Sequence, residues 1–197
     1  MFRPIPPTTQ SLIGLNVIAF ALQAMFGGQW FAQLALWPLG SEFWPWQLVT
    51  YGFLHGGLMH LLFNMFGLYM FGSDIEAVWG QRRFLIYYLV CIVTAGIAQL
   101  TVTWMTGSVY PTVGASGAVF GLLLAFGMMF PRRTVVLLIP PIPMPAWLFV
   151  TLYGVIELYL GITGTVSGVA HFAHLGGMVG GYLMIVYWRS GSGRRRF

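Results

Sequence analysis

Three short stretches hold side chains that could do hydrolytic chemistry together. They are "GASGAVFG" around Ser116, "HLLFN" from His60 to Asn64, and "AHFAHLGGMVGG" with His171 and His174. A serine hydroxyl becomes a nucleophile when an adjacent imidazole accepts its proton. Amide and imidazole N–H groups can then hold the oxyanion that the attack creates. His60 and Asn64 stand at i and i+4, so a helix puts both on one face.

Each signal also has a plain structural explanation. A single histidine in an apolar helix is more often a satisfied interior residue. Ser116, with Gly117 and Gly121, lies in the small-residue spacing that lets two membrane helices touch. Ala170, His174, Gly177 and Gly181 recur at i, i+4, i+7 and i+11, so His174 lies at a close helix–helix contact on either account. No carboxylate completes a Ser–His–Asp triad. Glu157 is the only acid inside a predicted helix and reads as structural. Asp74 and Glu76 fall in a polar turn, solvated or paired with arginines. The single cysteine, Cys91, can form no internal disulfide and reads as a small buried residue. Four histidines suggest a metal site, but no acid or thiol is expected to join them, and no metal or cofactor is implied.

The elements that must position these residues are membrane helices. Of 197 residues, 58% are hydrophobic and 7% charged, and the mean hydropathy is +0.80. Soluble domains carry about 25% charged residues, so this chain cannot cover a water-facing surface. A span takes roughly 20 apolar residues. The pattern gives an all-α integral membrane bundle of six helices: Gln10–Gln29, Leu48–Gly72, Phe84–Met105, Ser116–Phe130, Ala146–Ile162 and Val169–Trp188. Prolines in the "MFRPIPPTTQ" lead oppose helix. The Trp-rich segment "WFAQLALWPLGSEFWPWQ", broken by Pro38 and Pro45, reads as an interfacial loop in the plane of the outer leaflet. The first apolar run reads as a retained helix rather than a signal peptide. Residues 1–197 form a single membrane domain with a short lead, 1–9, and a basic tail, 189–197.

All nine arginines fall in the lead, the tail or two inter-helix turns, and there is no lysine. Scattered small groups of this kind argue against nucleic acid as a partner and mark the inner side of a bilayer. Both termini are therefore cytoplasmic. Ser116 precedes Arg132 by 16 residues and His174 precedes Arg189 by 15. At about 1.5 Å per residue both lie roughly 22–24 Å from the inner charge layer. A serine and a histidine at one depth, each on a close-packing face, fit a nucleophile–base pair. His60 and Asn64 fall in the outer-to-middle part of their helix and could serve the oxyanion.

These motifs resemble those of rhomboid intramembrane serine proteases. "GASGAVFG" is similar to their GxSG, "HLLFN" to their HxxxN, and "AHLGGMVGG" to their AHxxGxxxG. The Trp-rich loop running into "WQLVTYGFLH", and "EAVWG", are similar too. The resemblance implies Ser116 as nucleophile and His174 as general base. Started at His171, the third pattern would need glycine where His174 stands. It implies an oxyanion hole from the Ser116 backbone N–H and the His60 and Asn64 side chains. Supporting positions are His55, Gly114, Gly117, Phe120 and His171, with Phe120 packed on the base and Gly177 and Gly181 at packing positions. One departure is Trp46-Gln47, where the family often has Trp-Arg; an arginine tie from the loop to an acid such as Glu76 is absent or replaced.

The expected activity is hydrolysis of peptide bonds in or near transmembrane segments of single-pass membrane proteins, from a cavity open to the outer side. Substrate entry beside the fifth helix and under the first loop is implied by the family. The chain has no seventh helix or soluble domain, and a prokaryotic plasma membrane suits so minimal a form. Two rival functions have distinct signatures. A client-binding relative without activity typically lacks the serine or the histidine, and both are present. A channel needs polar residues through the full thickness, whereas these cluster in the outer half.

Overall fold

In the computed structural model, which describes residues 4–40, 42–137, 140–165 and 168–191, the chain is mostly helical. Arg3 and the tail arginines Arg194, Arg195 and Arg196 lie outside the described residues. The first long helix, α1, is Pro7–Phe26, so it starts inside the proline-rich lead. Proline is tolerated there because the first turn of a helix has no use for its N–H. The free N–H groups of Thr8 and Thr9 instead donate to the two carboxylate oxygens of Glu76, at 2.9 and 2.7 Å. Thr9 Oγ1 donates to Glu76 as well, at 2.7 Å. Glu76 is buried, so the expectation of a solvated or arginine-paired acid is corrected: it caps α1, where the helix dipole favours negative charge. Asp74 is the acid that pairs with an arginine, Arg133.

The segment after α1 is built of short turns: α2 (Gly28–Phe31), a 3-10 turn at Ala32–Leu34, then α3 (Gln47–Thr50) and a second 3-10 turn at Tyr51–Phe53. Gln47, fully buried, holds it together. Its side-chain oxygen accepts from Trp37 N at 3.1 Å, and its amide donates to the carbonyls of Gln33 and Glu42 at 3.2 and 2.9 Å. Thr50 Oγ1 adds a bond to Leu34 O at 2.7 Å. A neutral amide therefore anchors the loop at the position after Trp46. Gln47→Ala strands buried polar groups at about 1–3 kcal/mol apiece. We expect a stability loss of roughly 2–3 kcal/mol, read by denaturant titration in detergent.

The helix expected from Leu48 starts later. Gly56 and Gly57 interrupt the helical run, Gly57 being fully extended, and α4 is Leu58–Gly67. A π turn at Leu68–Gly72 leads into α5, Ser73–Thr106. The expected polar turn "SDIEAVWGQRR" is helical apart from Gly80, at φ 75° and ψ 166°. That single left-handed residue folds the chain back. Gly72 lies against the Phe84 ring, whereas a straight helix would hold them about 18 Å apart.

The remaining elements are α6 (Ser116–Met129), an antiparallel hairpin of β1 (Thr134–Val136) with β2 (Pro143–Pro145), α7 (Ala146–Thr163) and α8 (His171–Gly191). The proline-rich connection between α6 and α7 thus contains a small hairpin. The core lies where α5, α6 and α8 pack on one another. Their glycines make that possible: a Cβ at Gly117 would strike Ala95, one at Gly121 would strike Cys91, and one at Gly181 would strike the Tyr87 hydroxyl. Among the described residues three helical stretches are long and apolar enough to cross a membrane, Pro7–Phe26, Leu58–Thr106 and Ala146–Thr163; Ser116–Met129 is a shorter apolar helix.

Candidate active site

Ser116 is the first residue of α6. The loop leading to it is clamped on both sides. Thr112 and Leu36 exchange backbone hydrogen bonds at 2.9 and 3.0 Å, and Gly114 N donates to Tyr51 O at 3.0 Å. Tyr51 is itself fixed by its hydroxyl, which donates to Ile92 O at 2.7 Å. The Trp-rich segment and α5 therefore set where α6 begins. At that start the backbone N–H groups lack intrahelical acceptors and the dipole favours negative charge.

His174 reaches the same point from α8, with Nε2 2.8 Å from Ser116 Oγ. Phe120, one turn along α6, stacks on the imidazole, with centroids 4.3 Å apart and planes 4° from parallel. The close approach that permits this is Gly177 against the Gly117 carbonyl, backbone on backbone. On its other edge His174 Nδ1 lies 2.8 Å from Glu157 Oε2, and His171 Nδ1 lies 2.7 Å from the same oxygen. All three residues are buried.

His60 flanks the serine loop. Its Nδ1 accepts from Gly56 N at 3.4 Å, so a neutral ring carries its hydrogen on Nε2, the edge against Gly114. Gly114 has φ +131°, and a Cβ there would meet His60 Cε1 at 2.7 Å and Nε2 at 2.8 Å, with Ser116 Oγ 3.6 Å away. Asn64 is buried and donates from Nδ2 to His60 O at 2.9 Å. Among the described residues neither His60 nor Asn64 hydrogen-bonds Ser116. His55 packs edge-on against His60, centroids 5.2 Å apart. Its backbone is tied to α1, through His55 N donating to Gln23 Oε1 at 3.1 Å and Gln23 Nε2 donating to His55 O at 3.4 Å.

The Rhomboid domain family matches residues 42–190, a stretch that contains every one of these histidines as well as Ser116. The chain belongs to the rhomboid family. It is 30% identical over 187 residues to "Rhomboid protease GluP" of Bacillus subtilis, covering 90% of this chain and 34% of that protein. It is 35% identical over 148 residues to "RHOMBOID-like protein 4" of Arabidopsis thaliana, covering 71% of this chain and 33% of that protein. It is 27% identical over 183 residues to "Rhomboid protease GlpG" of Pectobacterium atrosepticum, covering 92% and 62%. The chain thus spans between a third and just under two thirds of the length of these relatives. Its apolar helices and its rhomboid membership make it an integral membrane protein.

Within this rhomboid domain the structure gathers Ser116, His174, Phe120, Gly114, Gly117, His60 and His171 into one site, with Asn64 one turn along from His60 and His55 against its ring. Two expectations need correcting. A carboxylate does reach the histidine, because the register of α7 puts Glu157 level with His174. An acid also does join two of the four histidines: Glu157, His171 and His174 offer donor atoms within 4.8 Å of one another. That is a donor set of the kind that holds zinc. Both imidazole Nδ1 atoms would have to give up their contacts with Oε2 before a cation could enter. Sequence reasoning also passed over Gln23 and Tyr51. Tyr51 lies within "WQLVTYGFLH", which marked the stretch but not the residue, whereas Glu157, a carboxylate alone in an apolar helix, is a functional candidate by cost.

Proposed function

We propose that this rhomboid domain is a serine endopeptidase that cleaves membrane-spanning protein substrates, with Ser116 as nucleophile and His174 as general base. The observation that carries the reading is the 2.8 Å contact between Ser116 Oγ and His174 Nε2, with the ring held by Phe120. His174 takes the Ser116 hydroxyl proton as Oγ bonds to the substrate carbonyl carbon. The resulting oxyanion is held by the Ser116 backbone N–H, His60 Nε2–H and the Asn64 amide. Collapse breaks the C–N bond, and His174 gives its proton to the departing amine. Water, deprotonated by His174, then attacks the acyl ester and frees Ser116. No metal or cofactor enters these steps.

Six spans follow if the fold-back at Gly80 separates two crossings and α6 and α8 cross as well. Arg133 pairs with Asp74, and Arg83 lies over the Trp188 ring at 5.7 Å, beside Arg189. The arginine-bearing turns thus gather at one end of the bundle. Ser116 stands at the opposite end of α6, whose 14 residues are about 21 Å long. By the positive-inside rule the arginine end and both termini are cytoplasmic, and the site opens to the outer side. Residues 1–197 act as one membrane domain. A site sunk among apolar helices takes substrates that are themselves in the bilayer, and two of the relatives above carry the word protease in their names.

The test uses purified protein in liposomes, a fluorophosphonate probe and a labelled transmembrane substrate. Wild type should label and cleave, and Ser116→Ala and His174→Ala should do neither. Cleavage surviving Ser116→Ala would remove the nucleophile from this reading. A folded wild type that neither labels nor cleaves would point to client binding without catalysis. Gly114→Ala supplies a check on the oxyanion hole. Its Cβ displaces the His60 ring from a backbone that already disfavours a side chain, and loss of one such donor costs about 10²–10³ in kcat. We expect a fall of roughly 10²-fold, with the thermal midpoint showing that the fold persists.

A further inference from the structure

We propose that Glu157 is the positioning residue of the site, extending Ser116–His174 to a Ser116–His174–Glu157 relay, with His171 holding the carboxylate in place. This rests on the reading of Ser116 as nucleophile and His174 as base. Glu157 is buried in the apolar helix α7. A carboxylate there is expensive, and the groups that satisfy it are two imidazoles, not an arginine. Both approach one oxygen, Oε2, at 2.7 and 2.8 Å. A carboxylate oxygen has lone pairs for two donors and no hydrogen of its own to give. Each Nδ1 therefore carries its proton.

That assignment decides the state of His174. A neutral imidazole has one N–H and one bare nitrogen. With Nδ1 committed as donor to Glu157, Nε2 is bare, and Nε2 is the atom 2.8 Å from Ser116 Oγ. The ring is poised to accept the hydroxyl proton. Without Glu157 the other tautomer competes, and its Nε2–H would donate to Ser116 and block the transfer. Once the proton has moved, the imidazolium faces a carboxylate in a water-poor setting, where the attraction is strong. His171 shares the face of α8 with His174, at i and i+3. It occupies the second lone pair of Oε2, and its own Nε2 is buried with no hydrogen-bond partner. Among the described residues its one polar contact is the carboxylate, which it turns toward His174. Phe120 on the ring face, Glu157 on one edge and Ser116 on the other leave the base no rotation.

The rival account is that Glu157 only ties α7 to α8. The two differ in what Glu157→Gln does, because glutamine keeps an acceptor of the same size and loses the charge and the enforced tautomer. We expect kcat on a labelled transmembrane peptide to fall by about 10²–10⁴-fold, on the pattern of serine hydrolases that lose this charge, with KM changed less than about threefold. His171→Asn, which frees the carboxylate to rotate, should fall less, by about tenfold. The direct readout is ¹⁵N NMR of histidine-labelled protein in detergent, with the His174 signal assigned by its loss in His174→Ala. Wild type should show the Nδ1–H tautomer, and Glu157→Gln a shift toward Nε2–H. A wild-type His174 found as Nε2–H overturns the proposal even if every variant fails to fold. So does a folded Glu157→Gln enzyme within threefold of wild-type kcat. If Ser116→Ala is inactive while Glu157→Gln is as fast as wild type, this inference alone falls. If Ser116→Ala still cleaves, the protease reading falls first.

Discussion

Ser116→Ala and His174→Ala should each lower kcat/KM on a transmembrane substrate by about 10⁴-fold or more, and the double variant should be no slower than either single one. The magnitude follows from what the pair does. Without the base the hydroxyl keeps its proton and is a poor nucleophile; without the hydroxyl the base has nothing to activate. Members of such a unit are strongly non-additive: once one is gone, the other contributes almost nothing further. The residual rate reflects oxyanion stabilisation and binding, which survive in both variants. Because each change removes atoms at a contact already in place, the thermal midpoint should stay within a few degrees. Single-turnover cleavage in liposomes, with all three variants at equal reconstitution, makes the comparison. Two independent losses multiplying together, for example 10⁴ and 10⁴ giving a rate far below either, would mean that Ser116 and His174 do not act as one unit.

Depth and spacing make much of this candidate site legible in the sequence. Counting back from Arg132 and Arg189 put Ser116 and His174 on one level, and the glycines around them marked the faces that meet. The helix ends were harder. Pro7 opposes a helix interior yet suits a first turn, and Gly80 ends a helix only because its φ is positive, which composition does not reveal. Polar partners were hardest, because they depend on azimuth as well as depth. Glu157 is a lone acid in apolar sequence, and Glu76 stands two residues from Asp74 in a polar stretch. Which neighbours they meet depends on how α5 turns toward α1 and α7 toward α8, a rotation that one sequence without its helix packing does not specify. The same holds for Gln47: its type announced a missing arginine, but its three loop contacts are set by turns that bring Gln33, Trp37 and Glu42 around it.

The second large effect comes from a residue with no side chain. At Gly177 a Cβ would overlap the carbonyl of Gly117. Both partners are backbone on facing helices, so no side chain can swing aside, and α6 and α8 must separate. Gly117 directly follows Ser116, and Gly177 lies one turn beyond His174. A separation of about 1 Å at this contact therefore opens the serine–imidazole hydrogen bond itself, and misplacement on that scale costs on the order of 10²-fold. Gly177→Ala should accordingly reduce kcat by about 10²–10³-fold and stability by roughly 1–3 kcal/mol through overpacking. Gly154→Ala on α7 is the matched control: its Cβ would make ordinary contact with Met178 at 3.5 Å. Rate and thermal midpoint should there stay near wild type. Cleavage assays and denaturant titrations on the two variants side by side separate the effects. A Gly177→Ala enzyme as active as the Gly154→Ala control would mean that the pair is held by the loop clamp at Thr112 and Gly114 rather than by this helix contact.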